Sequence, residues 1–173
     1  MKRDAMAVFK FPEDQRRLDW LILRDSPFVL YLDRSKLGEV CDWFLRHSYQ
    51  LVTFNCTNWQ SESDFHDDIS ASLKFPDYYG RNLDALNECM CSDLDIPQES
   101  GLLLVFHHFN VFKKHFPETS YHLLDILAEA SRRYLLYGQR LITFIQSDDQ
   151  KIVFEPVGAC HVLHARWQTK HFD

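Results

Sequence analysis

Two apolar runs with one long helical stretch between them set the tightest limit on what this chain can fold into. Leu102-Leu-Leu-Val-Phe106 and Leu141-Ile-Thr-Phe-Ile145 hold no charged residue. Runs that continuous suit strands covered on both faces, as in a parallel sheet. Pro117 is placed to open a helix, with Tyr121, Leu124, Leu127, Ala128, Arg132 and Leu135 along it, and Gly138 to end it. Strand, long helix, strand is the signature of a parallel crossover.

The rest of the chain repeats this grammar. Phe28–Leu32 reads as a strand, and Asp33 or Ser35 as the cap of a helix whose inner face is Leu37, Val40, Cys41, Phe44 and Leu45. Tyr49–Cys56 is rich in strand formers. Ser61 caps a further helix, with Phe65, Ile69 and Leu73 inward, that runs to Pro76. Ala5–Phe11 is a weaker strand candidate and Asp14–Arg24 a short helix or wrapped arm. Lys151–Phe154 and Ala159–Leu163 read as two short strands around a turn. The expectation is an α/β layered fold: a small, largely parallel sheet packed with helices. At 173 residues it fits one domain, 1–173.

The stretch with the most chemistry is Phe75–Cys91. Phe75-Pro76 stops the preceding helix, and Gly80 permits a tight or left-handed turn. Asn82 is a good N-cap. Leu83, Leu86 and Met90 then recur at helical spacing on one face, with Cys89 at its border. The other face carries Asp84, Asn87, Glu88 and Cys91. An aspartate in a first helical turn needs no function, because the helix dipole favours it. The surroundings say more. From 61 to 95 there are nine acidic residues against two basic ones, a local charge of −7, while the whole chain is only −6. Tyr78 and Tyr79 sit in the middle. An acidic patch with tyrosine anchors suits a cationic protein partner.

The run Phe-Pro-Asp-Tyr-Tyr-Gly-Arg-Asn-Leu-Asp-Ala-Leu-Asn-Glu-Cys resembles the signature of the barstar family, inhibitors of barnase-type ribonucleases. The similarity runs from about Tyr49 to Gln146 (a core of 49–146), with flanks 1–48 and 147–173 like those of longer bacterial members. The resemblance implies a barstar-like fold whose sheet the flanks extend. It implies a cytoplasmic immunity protein, of the toxin–antitoxin kind, that blocks the active site of a basic ribonuclease or toxin one-to-one as a monomer. Its implied partner-binding residues are Tyr78, Gly80, Asn82, Leu83, Asp84 and Glu88. Asp84 and Glu88 would stand in for substrate phosphates, and Tyr78 would be the aromatic anchor; Asn87 and Cys91 share the exposed face. Three departures bear on the partner's identity. Asn87 stands where barstar has a tryptophan, Asp93 lies near a second tryptophan contact, and Arg132-Arg133 falls where barstar supplies an acidic one. The alternative is a module of the same fold that recognises a different cationic protein.

Other classes fit less well. The basic pairs Arg16-Arg17, Lys113-Lys114 and Arg132-Arg133 are too scattered for a phosphate-tracking patch, which argues against direct nucleic-acid binding. No apolar run reaches membrane-spanning length. The N-terminus lacks the apolar core of a signal peptide. Five cysteines without framework spacing point to reduced, cytosolic thiols. Asp84 and Glu88 are expected to be exposed on one helix face, with no adjacent Ser, Cys or Lys arranged as a nucleophile and no phosphate-binding glycine loop, so an enzyme is not expected. The nine histidines show no zinc-hydrolase spacing, so neither metal nor cofactor is expected.

Overall fold

A computed structural model describes residues 8–166 and Phe172. Five parallel strands form one sheet: β1 (Phe28–Tyr31), β2 (Gln50–Asn55), β3 (Leu102–His107), β4 (Leu141–Gln146) and β5 (Leu163–His164). Their order is β2-β3-β4-β1-β5. The central strands are buried along their length, which is why their sequences are apolar without alternation. β2 lies at an edge and only Phe54 of it is fully buried. In register, Leu102 faces Leu141 and Phe106 faces Ile145.

Alternate residues of each strand feed two layers, as the period of a strand requires. Leu104, Phe106 and Ile145 point into the larger core under α3 (Glu62–Leu73), α4 (Leu83–Ser92), α5 (Phe109–His115) and α6 (Pro117–Leu136). Leu103, Val105, Ile142 and Phe144 point to the opposite layer, made by α1 (Leu18–Asp25) and α2 (Arg34–Arg46). The chain segments on either side of residues 49–146 therefore extend the sheet, β1 beside β4 and β5 at the outer edge.

Several boundaries differ from expectation. Residues 8–11 form no strand, and Ala5, Met6 and Ala7 lie outside the described residues. Residues 151–156 are irregular; the turn that follows closes with the bridge Val157–Cys160, and β5 is two residues long. Helix α5 has no signal in the sequence, because Phe109 and Phe112 give too short a stretch to display a period. Helix α3 stops at Leu73, where Lys74 takes a left-handed conformation. In α2, Leu45 is 52% exposed and Trp43 is buried in its place. The face turns because α2 must also cover Tyr49, whose ring meets Phe44 edge-on at 4.7 Å.

A buried ion pair joins the N-terminal segment to the sheet. Asp19 is fully buried and accepts from Arg17 at 2.9 Å, Tyr49 at 2.6 Å and Arg140 at 3.3 Å. Arg140 also donates to the Val8 carbonyl and stacks over Phe9. Burial by itself would raise the Asp19 carboxyl, but the hydrogen bonds from Arg17 and Tyr49 outweigh it and hold the group below the usual range.

Asp19→Asn leaves two arginines facing a neutral amide and should cost about 3–5 kcal/mol. Because the folded pKa is depressed, this stabilisation is fully present above the unfolded value of about 4 and fades as pH falls through the folded one. Denaturant titrations should therefore show the full gap between parent and variant at neutral pH, narrowing below about pH 4. In the larger core, Trp59 stacks edge-on against Phe65 and Phe112 and donates to Asp68 at 2.8 Å. Trp59→Ala should lower unfolding free energy by about 3–5 kcal/mol in the same assay.

Candidate functional site

The acidic stretch is held by what precedes it. Ser61 and Asp64 form a reciprocal capping box at the start of α3. After Lys74 the chain turns back, and the loop 75–82 lies against the side of α3. Its two tyrosines part company. Tyr79 turns inward, meets Phe75 at 5.0 Å and hydrogen-bonds through its hydroxyl to His66 Nδ1 at 2.5 Å. Burial lowers the His66 pKa, so the ring is neutral at pH 7. Tyr78 turns outward, is 67% exposed and donates to Asp93 Oδ2 at 3.0 Å.

The left-handed residue of the loop is Arg81, with φ 54°, and not Gly80 as expected. Such a conformation costs a non-glycine residue about 1–2 kcal/mol. Two contacts to α3 offset it: Arg81 Nη2 lies 2.6 Å from Asp67 and donates to Ser63 at 2.7 Å. Gly80 matters for space instead, since a Cβ there would lie 3.2 Å from Asn82 Nδ2. Asn82 caps α4 by accepting from the Ala85 amide at 2.9 Å.

In α4 the side chains of Leu86, Cys89 and Met90 are buried and Leu83 is half-buried, while Asp84, Asn87 and Glu88 face solvent. Cys91 corrects the sequence reading. It is buried, its thiol donating to Asn87 Oδ1 at 3.5 Å, because α6 packs against that side of α4 and closes over it. It therefore belongs to the core. Cys89 is held inert, burial and the Asp93 carboxylate pushing its thiol up to about 11.

Asp84 stands on a ridge between two grooves. One, about 340 Å³, lies between α4 and α6 and is bordered by Asp84, Asn87, His122, Asp125 and Glu129. The other, about 470 Å³, lies towards α3 and α6 and includes Glu62, His66, Arg81 and Thr119. At the far end of the first groove Glu129 pairs with Arg132 at 3.0 Å and Arg133 at 3.1 Å, and those hydrogen bonds hold its carboxyl below the usual range. The acidic surface thus ends in a small cationic spot. Nothing in the linear chain marks His66 or Arg81 as supports. An inward tyrosine beside an outward one looks the same in a linear chain.

A second region needs a chemical account. β1 and β4 are neighbours, yet the chain leaves them for opposite faces of the sheet. Open α/β sheets bind ligands at such a point. Here the crevice is occupied by the protein itself. Asp148 accepts from Arg34 at 2.9 Å, from Gln146 at 3.0 Å, and pairs with His108 at 2.5 Å. The Arg34 guanidinium foremost, then His108 and Gln146, hold the Asp148 carboxyl down at about 2.

A family profile covers the part of the chain that carries the acidic surface. The family profile described as "Barstar (barnase inhibitor)" matches residues 49–147. A Bacillus subtilis (strain 168) protein named "Putative ribonuclease inhibitor YrdF" is 40% identical over 65 residues, 38% of this chain and 67% of that protein. The matched segment contains β2, α3, the loop, α4, β3, α5, α6 and β4, so it takes in three adjacent strands and every helix of the larger core. With more than half its length matched in this way, the chain belongs to the barstar family.

Proposed function

We propose that this protein is an inhibitor that occupies the active site of a basic ribonuclease with its acidic loop and helix. One observation carries the reading: Asp84 and Glu88 are presented to solvent, one turn apart, on a helix whose entry loop is clamped to α3 by Arg81 and Tyr79. A rigid pair of carboxylates at helical spacing matches an enzyme site built to hold successive phosphates. It does so without a loop-ordering cost on binding. Tyr78 supplies the exposed aromatic contact. Gly80, Asn82, Leu83 and Asn87 complete the surface.

The complex is one-to-one between a monomer of this protein and a cationic enzyme, inside a bacterial cytoplasm, as expected of an immunity protein. The family core and its flanks act as one domain. Activity of its own is not part of this reading: the paired carboxylates are exposed, and the adjoining thiol of Cys89 is buried. A second reading, a cationic partner other than a ribonuclease, is favoured by the polar residues Asn87 and Asp93 and by Arg132 and Arg133 at the end of the groove.

The test is inhibition of a barnase-type ribonuclease at low and high salt. The unmodified protein should inhibit, and less so as salt rises, because exposed charges are screened beyond about 10 Å at 0.1 M. Asp84→Ala and Glu88→Ala should each lose about 2–5 kcal/mol of binding, the range for interface charge pairs to which barnase–barstar itself belongs. Equal inhibition by the double variant would remove the acidic helix from the mechanism. No inhibition by the unmodified protein would favour the second reading.

A further inference from the structure

Helix α6 is a ridge with a groove on each side. Its exposed residues Glu118, Tyr121, His122 and Asp125 and the half-buried Glu129 recur at helical spacing. On one side lies the acidic groove shared with α4. On the other, α6, α5 and residues 153–157 enclose a larger groove of about 760 Å³. His122 borders both. The floor of the larger groove is apolar, made by Phe109, Leu124, Phe154 and Val157. Tyr121 and Val153 stand at its rim, 41% and 75% exposed.

The outer wall is fixed. Ile152 and Phe154 pack against the larger core. Val157 and Cys160 exchange backbone hydrogen bonds at 2.9 and 2.8 Å. Gly158 has φ +53°, and a Cβ there would lie 2.7 Å from the Ala128 side chain, so the chain rests directly on α6. Arg132 donates to the Gly158 carbonyl from below. This wall follows β4 and lies beyond the segment matched by the barstar profile. The groove is formed where the chain's own C-terminal segment meets the family scaffold.

We infer that this groove is the apolar half of the docking surface and takes an aromatic or aliphatic side chain of the same cationic partner that lies on the acidic face. The inference rests on the reading given under Proposed function. Charges at an interface set rate and specificity, whereas buried apolar anchors hold the complex together. The acidic loop and helix are poor in such anchors: Asn87 and Asp93 are polar, and Tyr78 is the exposed aromatic among them. The larger groove continues that surface across a single helix and supplies what it lacks. A second copy of this chain is a worse occupant, since each copy carries −6 and the groove borders the acidic face. The described ends of the chain lie elsewhere. Phe172 packs in the core of the opposite layer, and Val8 is held by Arg140 beside α1.

The experiment is calorimetric titration of the full chain with a barnase-type ribonuclease, at two salt concentrations, for Val153→Asp, Tyr121→Ala and Asp84→Ala/Glu88→Ala. Val153 and Tyr121 are exposed, so their substitution should leave thermal unfolding unchanged. Val153→Asp should weaken binding about tenfold or more, and Tyr121→Ala several-fold, with the salt dependence of the parent retained. The acidic double variant should weaken binding too, and in addition flatten its salt dependence. Parent-like affinity in both groove variants, with binding lost in the acidic variant, would overturn this inference and leave the acidic-face reading standing. No binding by the parent would overturn both. A parent dimer in sedimentation that Val153→Asp converts to monomer would make the occupant a second copy, and the inference would fall.

Discussion

Burial of β3 and β4 on both faces is the constraint on which the rest of the structure depends. Every backbone group of those strands must be paired within the sheet, since no water reaches them. Both neighbours of each strand are therefore obligatory, and so are two covering layers. β2 pairs with β3 on one side, and β1 with β4 on the other. The alternating side chains then fix which helices lie on which face. α3, α4, α5 and α6 are brought into one layer because Phe54, Leu104, Phe106 and Ile145 all point there. That layer is where the acidic surface sits.

Within that layer, the acidic helix depends on its support more than on its own sequence. A polar loop with two tyrosines has little to hold it locally. Arg81 in a left-handed conformation, paired with Asp67, and Tyr79 against His66 tie it to α3. The one cation within the loop is thus committed to internal support, and among the described residues Asp84 and Glu88 form no ion pair. Such an arrangement stores electrostatic potential for a partner. At the point where an α/β sheet would ordinarily receive a small ligand, Arg34, His108, Gln146 and Asp148 are bonded to one another. The chemistry of the molecule is turned to its outer face.

The segments beyond the family core do two different jobs. On the α1–α2 side the Asp19 network fastens the N-terminal helix across Tyr49 and Arg140, and β1 closes the flank of β4. On the other side the residues after β4 cross α6 and raise a wall against it, with Gly158 allowing contact at Ala128. Neither job leaves a clear trace in the linear sequence. Asp19 looks like an ordinary helix residue in a mixed-charge stretch. Residues 151–163 have the β-forming composition of strands, yet they pack by side chains onto α6, and only Leu163 and His164 find a strand partner.

The sequence by itself determined β1 to β4 and the long helix, because burial on both faces imposes continuous apolar runs and burial on one imposes a period. It also determined the caps at Ser61 and Asn82, narrowed the cap of α2 to Asp33 or Ser35, and set the outward placement of Asp84 and Glu88, since these depend on neighbours within one helical turn. Tertiary structure alone decided the rest. Cys91 went to the core because α6 covers that side of α4. Arg81, not Gly80, took the strained turn because Asp67 and Ser63 were there to hold it. The two grooves exist because α6 is flanked by α4 on one side and by residues 153–157 on the other. Each of these outcomes turns on a residue distant in sequence, and local periodicity carries no information about which distant surface will arrive.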